Sequence, residues 1–519
     1  MAPGAIDRRS FLLATASGAA GIAVAAGRSG DAEGATPAPE ELPSGASAAQ
    51  WAQLASRLTG HLVRPGMPSY ATSKLLYDPR FDGLAPVGLA YCATPSDVAR
   101  TIAFGRSHGY RLAVRAGGHS YAGYSSGTGR LVIDVTSMAG VAPAASPGAT
   151  ARVGAGARLI DVYNTLGHAG QLVPGGSCPT VGVAGLTLGG GVGVFARRYG
   201  LAADNVTALT VVTADGVART CTPSQDQALY WACRGGGGGN FGVVTSFEFS
   251  THPMPDVTLF TYDFDWDAAA DVLGAWQHWT RAVNPAVWSN CQLLSGAGTS
   301  SVRVAGVSCA TTAQTAAWLA PLLAQVHPTY SFVGPESYQR AMMIEAGCSG
   351  LSVAACHLDT HPPGVLSRQA FVASSSYVAA PMGDARLAAV VSVVDDLATE
   401  LPALGGGLVF DALGGRVNEV DATATAFVHR DFLCSIQSSF NWSTSTPSSQ
   451  VRAGSAWLAR VRRAVYDPAT GAYQNYIDPT LVDWPRAYYG ENLPRLMSVK
   501  RAVDPDRVFS FAQSIPPAP

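Results

Sequence analysis

Leu112–Ser126, LAVRAGGHSYAGYSS, is the stretch around which the 519-residue chain is organised. It reads as a short apolar strand, then Gly117-Gly118, then His119. Two glycines let a backbone approach a bulky ligand with no Cβ in the way, and His119 is thereby held against whatever that backbone cradles. Taken alone, the stretch reads better as a Gly-rich strand-to-loop turn with an incidental surface histidine. A second Gly-rich stretch, Pro174–Gly193 (PGGSCPTVGVAGLTLGGGVG), changes the balance, because Cys178 lies inside it. A third follows at Arg234–Val244 (RGGGGGNFGVV). Three backbone cradles in one half of a chain predict a large, flat, phosphate-bearing cofactor.

The neighbouring residues read as alternating strands and helices. Val87–Tyr91 is a strand, and Thr94-Pro95-Ser96-Asp97 opens a helix with Thr94 as N-cap and Pro95 in its first turn. The strand 111–114 completes a βαβ unit, and Leu131–Val135 is a further strand. Residues 158–169 read as a helix. Val206–Val212 and Val217–Cys221 flank a hairpin turn, and Phe241–Phe249 closes this half. Beyond about residue 255 the pattern changes. Val257–Trp266 alternates as a half-buried strand does. Helical stretches at 268–283, 311–325 and 385–400 alternate with strands near 301–308, 406–412 and 433–441, which predicts an α+β substrate domain, an antiparallel sheet covered by helices. The expected divisions are 1–50, 51–255, 256–450 and 451–519, with the fold starting near Trp51.

These motifs resemble the PCMH-type FAD-binding domain of the vanillyl-alcohol-oxidase flavoproteins, in particular the berberine-bridge-enzyme-like branch. The resemblance spans roughly residues 70 to 255 and about the last 50. It implies FAD bonded twice, through its 8-methyl carbon to the histidine of RAGGHSYAG, His119, and through carbon 6 to the cysteine of GSCPTVGVAG, Cys178. It further implies FAD contacts from Arg115, Ala116, Gly117, Gly118 and Ser120; from Thr180, Val181 and Gly182; and from Asn205, Gly242, Val243, Val244 and Asn475. The run Gly189, Gly190, Gly191, Gly193 formally fits GxGxxA with Ala196. It does not open the first βαβ unit, so it is read as a cradle for the FAD pyrophosphate and not as a nicotinamide fingerprint. Asn475-Tyr476-Ile477-Asp478 resembles the family's NYxD signature, which makes Tyr476 the catalytic base, with Asp411 of FDALGG as its partner and Tyr121 facing the substrate. Valine at position 181 is associated in the family with dioxygen as electron acceptor. The family's tail rejoins the flavin domain, so that domain is expected in two parts.

The resemblance thus implies an FAD-linked oxidase that converts C–OH to C=O in a secreted natural product, glycoside or carbohydrate, by hydride transfer to flavin N5, with hydrogen peroxide as by-product. The alternatives are oxidation of a reduced quinone or a C–N bond of an antibiotic, and a flavin-loaded drug-binding protein with little turnover.

Composition bounds the partners. The net charge is −2, charged residues make up 13% and no basic stripe is visible, which argues against nucleic acid. Nine cysteines occur without a CxxC, so no metal site is expected. Setting Cys178 aside, the pairs closest in sequence are Cys221/Cys233 and Cys348/Cys356, and buried thiols are the equal alternative. Asp7-Arg8-Arg9-Ser10-Phe11-Leu12-Leu13 resembles a twin-arginine export signal. The apolar run Phe11–Ala26 is short for a membrane span, and small residues around Ala23-Val24-Ala25 suit cleavage. The protein is therefore expected to leave the cytoplasm through the twin-arginine machinery, after a linker over 27–50, with no stable membrane insertion; an uncleaved anchor is the alternative. Its other partners are a small-molecule substrate and dioxygen.

Overall fold

The computed structural model describes residues 45–467 and 470–519. The export motif, its cleavage region and most of the expected linker lie outside them. The first described helix is Ala48–Arg57, so order begins before Trp51. Ser47 and Gln50 form a capping box, each side chain bonding the other's backbone N–H, and Trp51 and Leu54 bury the inward face.

Four strands make the first sheet: β1 (His61–Val63), β2 (Gly88–Tyr91), β3 (Leu112–Arg115) and β4 (Leu131–Asp134), in the order β1-β2-β4-β3. β2 and β3 are joined by the helix Pro95–Ser107, whose cap Thr94 accepts from Asp97 N. They do not pair with each other; both run parallel to β4, which fills the place between them. The second sheet is antiparallel and takes β5 (Val141–Ala142), β6 (Thr150–Gly154), β8 (Val206–Val212), β9 (Ala218–Cys221) and β10 (Val243–Ser250). β7 (Gln171–Leu172) pairs with β11 (His252–Pro253).

The second half is one seven-stranded antiparallel sheet of β12 (Val257–Phe264), β13 (Val287–Gly296), β14 (Thr299–Ser308), β15 (Tyr330–Glu336), β16 (Ala370–Val378), β17 (Gly405–Ala412) and β18 (Cys434–Trp442), in the order β15-β12-β14-β13-β17-β18-β16. Helices Ala269–Ala282, Asp384–Glu400 and Ser448–Val465 pack on it. β12 is not half-buried as its alternation suggests: seven of its eight residues are buried, because the sheet is covered on both sides.

The helix Ser448–Val465 buries Trp457, Leu458, Val461 and Val465 and contacts β16 and β18. It therefore belongs to the sheet domain, and the expected boundary near 451 falls inside it. The return to the first half comes later. Lys500 Nζ donates to Asn240 O at 2.6 Å, Ile515 N donates to Asn240 Oδ1 at 2.9 Å, and Phe509 bridges Leu112 beside the first sheet.

Of the two cysteine pairs singled out, Cys348–Cys356 is a disulfide, with Cα atoms 5.9 Å apart. Cys221 and Cys233 are free thiols, both buried, and burial pushes both pKa values up, as expected for thiols packed as small hydrophobes.

Candidate active site

The loop after β3 and the turn after Cys178 cross at two glycines. A Cβ at Gly117 would lie 2.2 Å from Gly182 N, and one at Gly182 would lie 2.4 Å from Gly117 N. Only glycine permits this approach, which brings His119 beside Thr180: His119 Nε2 lies 2.9 Å from Thr180 Oγ1. The imidazole stacks on Tyr77, centroids 4.1 Å apart. Burial, reinforced by the Arg158 cation, lowers its pKa to about 3, so the ring is neutral at ordinary pH. Cys178 is exposed, its side chain lining the open cavity. Desolvation by the surrounding protein raises its thiol pKa, and hydrogen bonds from Thr180 and Val181 partly offset that.

Two guanidinium groups lie behind this crossing. Arg115 pairs with Asp134 and donates to Tyr91, leaving Nη1 without a partner. Arg158 Nη1 is likewise buried and unpartnered, 3.0 Å from where a Cβ on Gly117 would sit. Beyond the crossing a slot opens. Nothing lies within 4 Å of a Cβ built on Gly185, and Gly238 and Gly239 meet their nearest neighbours only at 3.8 Å. A cradle free of Cβ atoms, buried guanidinium N–H groups without partners and an open slot fit FAD, whose pyrophosphate is anionic and whose rings are flat.

Other residues expected at the cofactor have different work. In the run Gly189–Gly193, Gly189 N and Gly190 N bond Leu186 O and Thr187 O, while Gly191 N and Val192 N both donate to Tyr473 OH. A Cβ at Gly189 would fall 2.0 Å from Asn475 Oδ1 and one at Gly193 1.6 Å from Gly175 O. These glycines admit other parts of the chain, and Gly189 N, Gly190 N and Gly191 N are taken up by bonds within it. Asn475 Nδ2 donates to Leu186 O and Tyr473 OH, which fastens the tail to the helix Val183–Leu188. Asn205 is occupied by Tyr199 O, Leu201 O and His252. Ser120 Oγ accepts from Tyr124 N within its own turn. Val243 and Val244 are buried in β10, and Gly242, at φ +148°, lets the chain pass Val212 O.

Cys178 and Val181 open onto a cavity of about 290 Å³ whose far wall is the polar face of the seven-stranded sheet. Pairing register builds that wall in rows. Arg303, Gln292, Val409 and Gln437 align across β14, β13, β17 and β18, and Asn290 aligns with Asp411 in the next row. Gln437 Nε2 donates to Tyr121 OH at 2.6 Å. Tyr121 stacks on Tyr476, centroids 5.4 Å apart and planes 5° from parallel. The three residues expected to do chemistry thus meet in one cavity. Burial raises Tyr476 well above the ordinary phenol range, and Tyr121 and Asp411 push the same way. Burial lifts Asp411 to about 7.

Two families match the chain: the FAD binding domain over residues 86–222, and the berberine and berberine-like family over residues 472–516. Berberine bridge enzyme-like 1 of Arabidopsis thaliana is 31% identical over 458 residues, 81% of this chain and 82% of that protein. The chain belongs to the berberine-bridge-enzyme-like FAD-linked oxidoreductases. The solved structure of Physcomitrella patens BBE-like 1 superposes with a TM-score of 0.80 at 28% identity, covering 90% of this chain and 99% of that one. A carbohydrate oxidase of Microdochium nivale is 28% identical over 83% of this chain and 88% of its own length.

This berberine-bridge-enzyme-like site also contains residues that sequence reading passed over. Arg158 precedes an apolar helix with no local motif. Asn290 and Gln292 stand at period two in a strand that also holds Ser289 and Ser295, and both line the cavity. Glu345 ends the helix Tyr338–Glu345 and lines the cavity, where burial and then Asp411 raise its carboxyl to about 7.

Proposed function

We propose that the protein is an exported oxidase carrying FAD bonded to both His119 and Cys178, and that it oxidises a hydroxyl of a natural product, glycoside or carbohydrate to a carbonyl, with dioxygen reduced to hydrogen peroxide. The observation that carries the reading is Tyr476: among the described residues its phenol has no hydrogen-bond partner, and it faces the cavity shared by Cys178 and Asp411. Bound FAD would supply the acceptor, taking hydride from the carbinol carbon at N5 and passing both electrons on to dioxygen.

The protein's own residues handle the proton and the geometry. Tyr476 takes the substrate hydroxyl proton as the hydride leaves. A phenol with so high a pKa is a poor acid, so its own proton needs a receiver, and the Asp411 carboxylate is the group in the cavity suited to take it. Tyr121, fixed by Gln437, holds the Tyr476 ring by stacking. A neutral His119 has the lone pair that a covalent link requires, and Thr180 orients it. Cys178 presents its sulfur to the same space. Val181 lines the cavity and is the residue through which access of dioxygen is controlled. The name of the Microdochium relative, a carbohydrate oxidase, supports the substrate class, and the Arg8-Arg9 motif supports export.

The test is a peroxide-coupled screen of sugars and polyketide glycosides with the yellow holoenzyme. Stoichiometric peroxide with carbonyl product is expected. Substrate oxidation under air without peroxide would overturn the oxidase reading.

A further inference from the structure

Glu345 sits where a negative charge is penalised three ways. It is the last residue of its helix, where the macrodipole repels an anion. It is half-buried, and the charged group acting on it is a second carboxyl, Asp411. Among the described residues no hydrogen bond or ion pair engages its carboxylate. Arg303 lines the same cavity, but its guanidinium is held by Asp263, with Nη2 3.0 Å from Oδ2. The position itself is rigid. The helix packs on Leu159–His168, the next turn is closed by Cys348–Cys356, and His357 Nε2 lies 3.0 Å from Asp161 Oδ2 on that neighbouring helix.

The remaining wall is short of partners in the same sense. Gln292, 7% exposed, gives its amide N–H to Asn290 Oδ1 and leaves Oε1 buried and unpartnered. Free acceptors on the wall are therefore Glu345, Asp411 and Gln292 Oε1. Against them stand the donors Trp288 Nε1, buried and unpartnered, Asn290 Nδ2 and the Tyr121 and Tyr476 phenols, all of them neutral. Aromatic faces from Tyr121, Tyr476 and Trp288 complete the lining. Two carboxyls without counter-ions, a free buried amide oxygen beside them and aromatic faces are the chemistry that recognises an organic cation with N–H donors.

We propose that Glu345 is the anchor of a cation subsite, and that the substrate carries a protonated amine in addition to the hydroxyl that is oxidised. The proposal rests on the oxidase reading only in naming that hydroxyl. It makes Glu345 a specificity residue, with Gln292 Oε1 as a second acceptor on the same wall.

The experiment uses the flavin-loaded enzyme under nitrogen and two probes of one shape, para-(aminomethyl)benzyl alcohol and benzene-para-dimethanol. Kd is taken from the concentration dependence of the flavin spectral change. A charged hydrogen bond in a sheltered site should make the amine bind about 10- to 100-fold more tightly. Glu345→Gln should bring the two probes within about twofold of each other, and Glu345→Asp, which keeps the charge, should retain part of the preference. Glu345→Gln also removes a penalised charge, so the fold should tolerate it. Equal affinities in the unaltered enzyme, no spectral change with the amine at millimolar concentration, or a preference that survives Glu345→Gln would each overturn the subsite. The oxidase reading is tested separately by the kind of change. A band shift with amine preference but no bleaching upholds the subsite and counts against alcohol oxidation.

Discussion

At the scale of single residues, the proposed function gives the chemistry to Tyr476 and Asp411, and their environments make that testable. Tyr476→Phe keeps the stack on Tyr121 and removes only the phenolic oxygen. Positioned acid–base groups contribute about 10²- to 10⁴-fold, so anaerobic flavin reduction should slow by that factor with little change in substrate affinity. Reduction at the unaltered rate would exclude this tyrosine as the base. Asp411 adds a pH signature. Burial holds its carboxyl near about 7, and only the carboxylate can receive the phenolic proton. Flavin reduction should therefore rise with pH through about 7 and level off, and Asp411→Asn should flatten that limb. The stability effect has the opposite sign. The folded state binds this proton more tightly than the unfolded chain, whose carboxyl titrates near about 4. Ionising Asp411 thus costs stability as pH rises from about 4 to about 7, and Asp411→Asn should raise the melting temperature at alkaline pH but not at acid pH. His119 and Cys178 make a third residue-scale claim. Acid-precipitated protein should stay yellow, as should either single alanine variant, while the double variant should release FAD. Free FAD from the unaltered protein in acid would remove the covalent reading.

At the scale of elements, glycines show how far sequence reading reaches. A glycine reports that something comes close, and does not say whether that is a ligand or another stretch of chain. At Gly117 and Gly182 the close neighbour is the opposite loop of the cradle; at Gly189 it is the tail, at Gly190 Phe427, at Gly191 Ala202 and at Gly193 the carbonyl of Gly175. Elements with local signals were legible, such as the Thr94-Pro95 helix start and the hairpin at Asp215-Gly216, whereas closeness in sequence did not separate the bonded Cys348–Cys356 from the free Cys221 and Cys233. β13 and β16 were not, because polar residues interrupt the apolar pattern of a strand: Asn290 and Gln292 face the cavity, and Ser374-Ser375-Ser376 are buried in the sheet. Glu345 was illegible because a lone acid at a helix end has no pattern. The two kinds of glycine predict different mutants. Gly117→Ala must push the loops apart, so both stability and flavin content should fall. Gly185→Ala meets no protein atom within 4 Å and relieves the helix cost of glycine, roughly 1 kcal/mol, yet its methyl enters the slot assigned to FAD. Stability of the flavin-free protein should hold or rise while the flavin-to-protein absorbance ratio drops. A normal ratio in Gly185→Ala would place FAD elsewhere.

At the scale of the whole molecule, the active site exists only because three distant segments close on one another. The cradle comes from residues 115–183, the polar wall from the seven-stranded sheet, and Tyr476 from the tail. The tail is locked by Lys500, whose ammonium is fully buried and donates to Asn240 O, Phe509 O and Asp504 Oδ2 at 2.6, 2.7 and 2.6 Å. Burial pushes the lysine's pKa down, and Asp504 holds it up against that. Asp504 in turn accepts from Val508 N and Phe509 N, so one ion pair fixes the final helix and the segment that bridges Leu112. Lys500→Met conserves much of the side-chain volume and leaves the Asp504 carboxylate buried without its cation. Breaking a buried pair from one side costs roughly 3–5 kcal/mol. Because the tail also carries Tyr473 and Asn475 into the helix Val183–Leu188 and the glycine run, that loss should reach the flavin pocket and not stay local. Urea unfolding followed by flavin fluorescence and by tryptophan emission should shift to lower urea together in Lys500→Met. If only the tryptophan transition moves, or neither does, the tail is not the lock that joins the two halves, and Tyr476 must be held in the cavity by its aromatic neighbours alone.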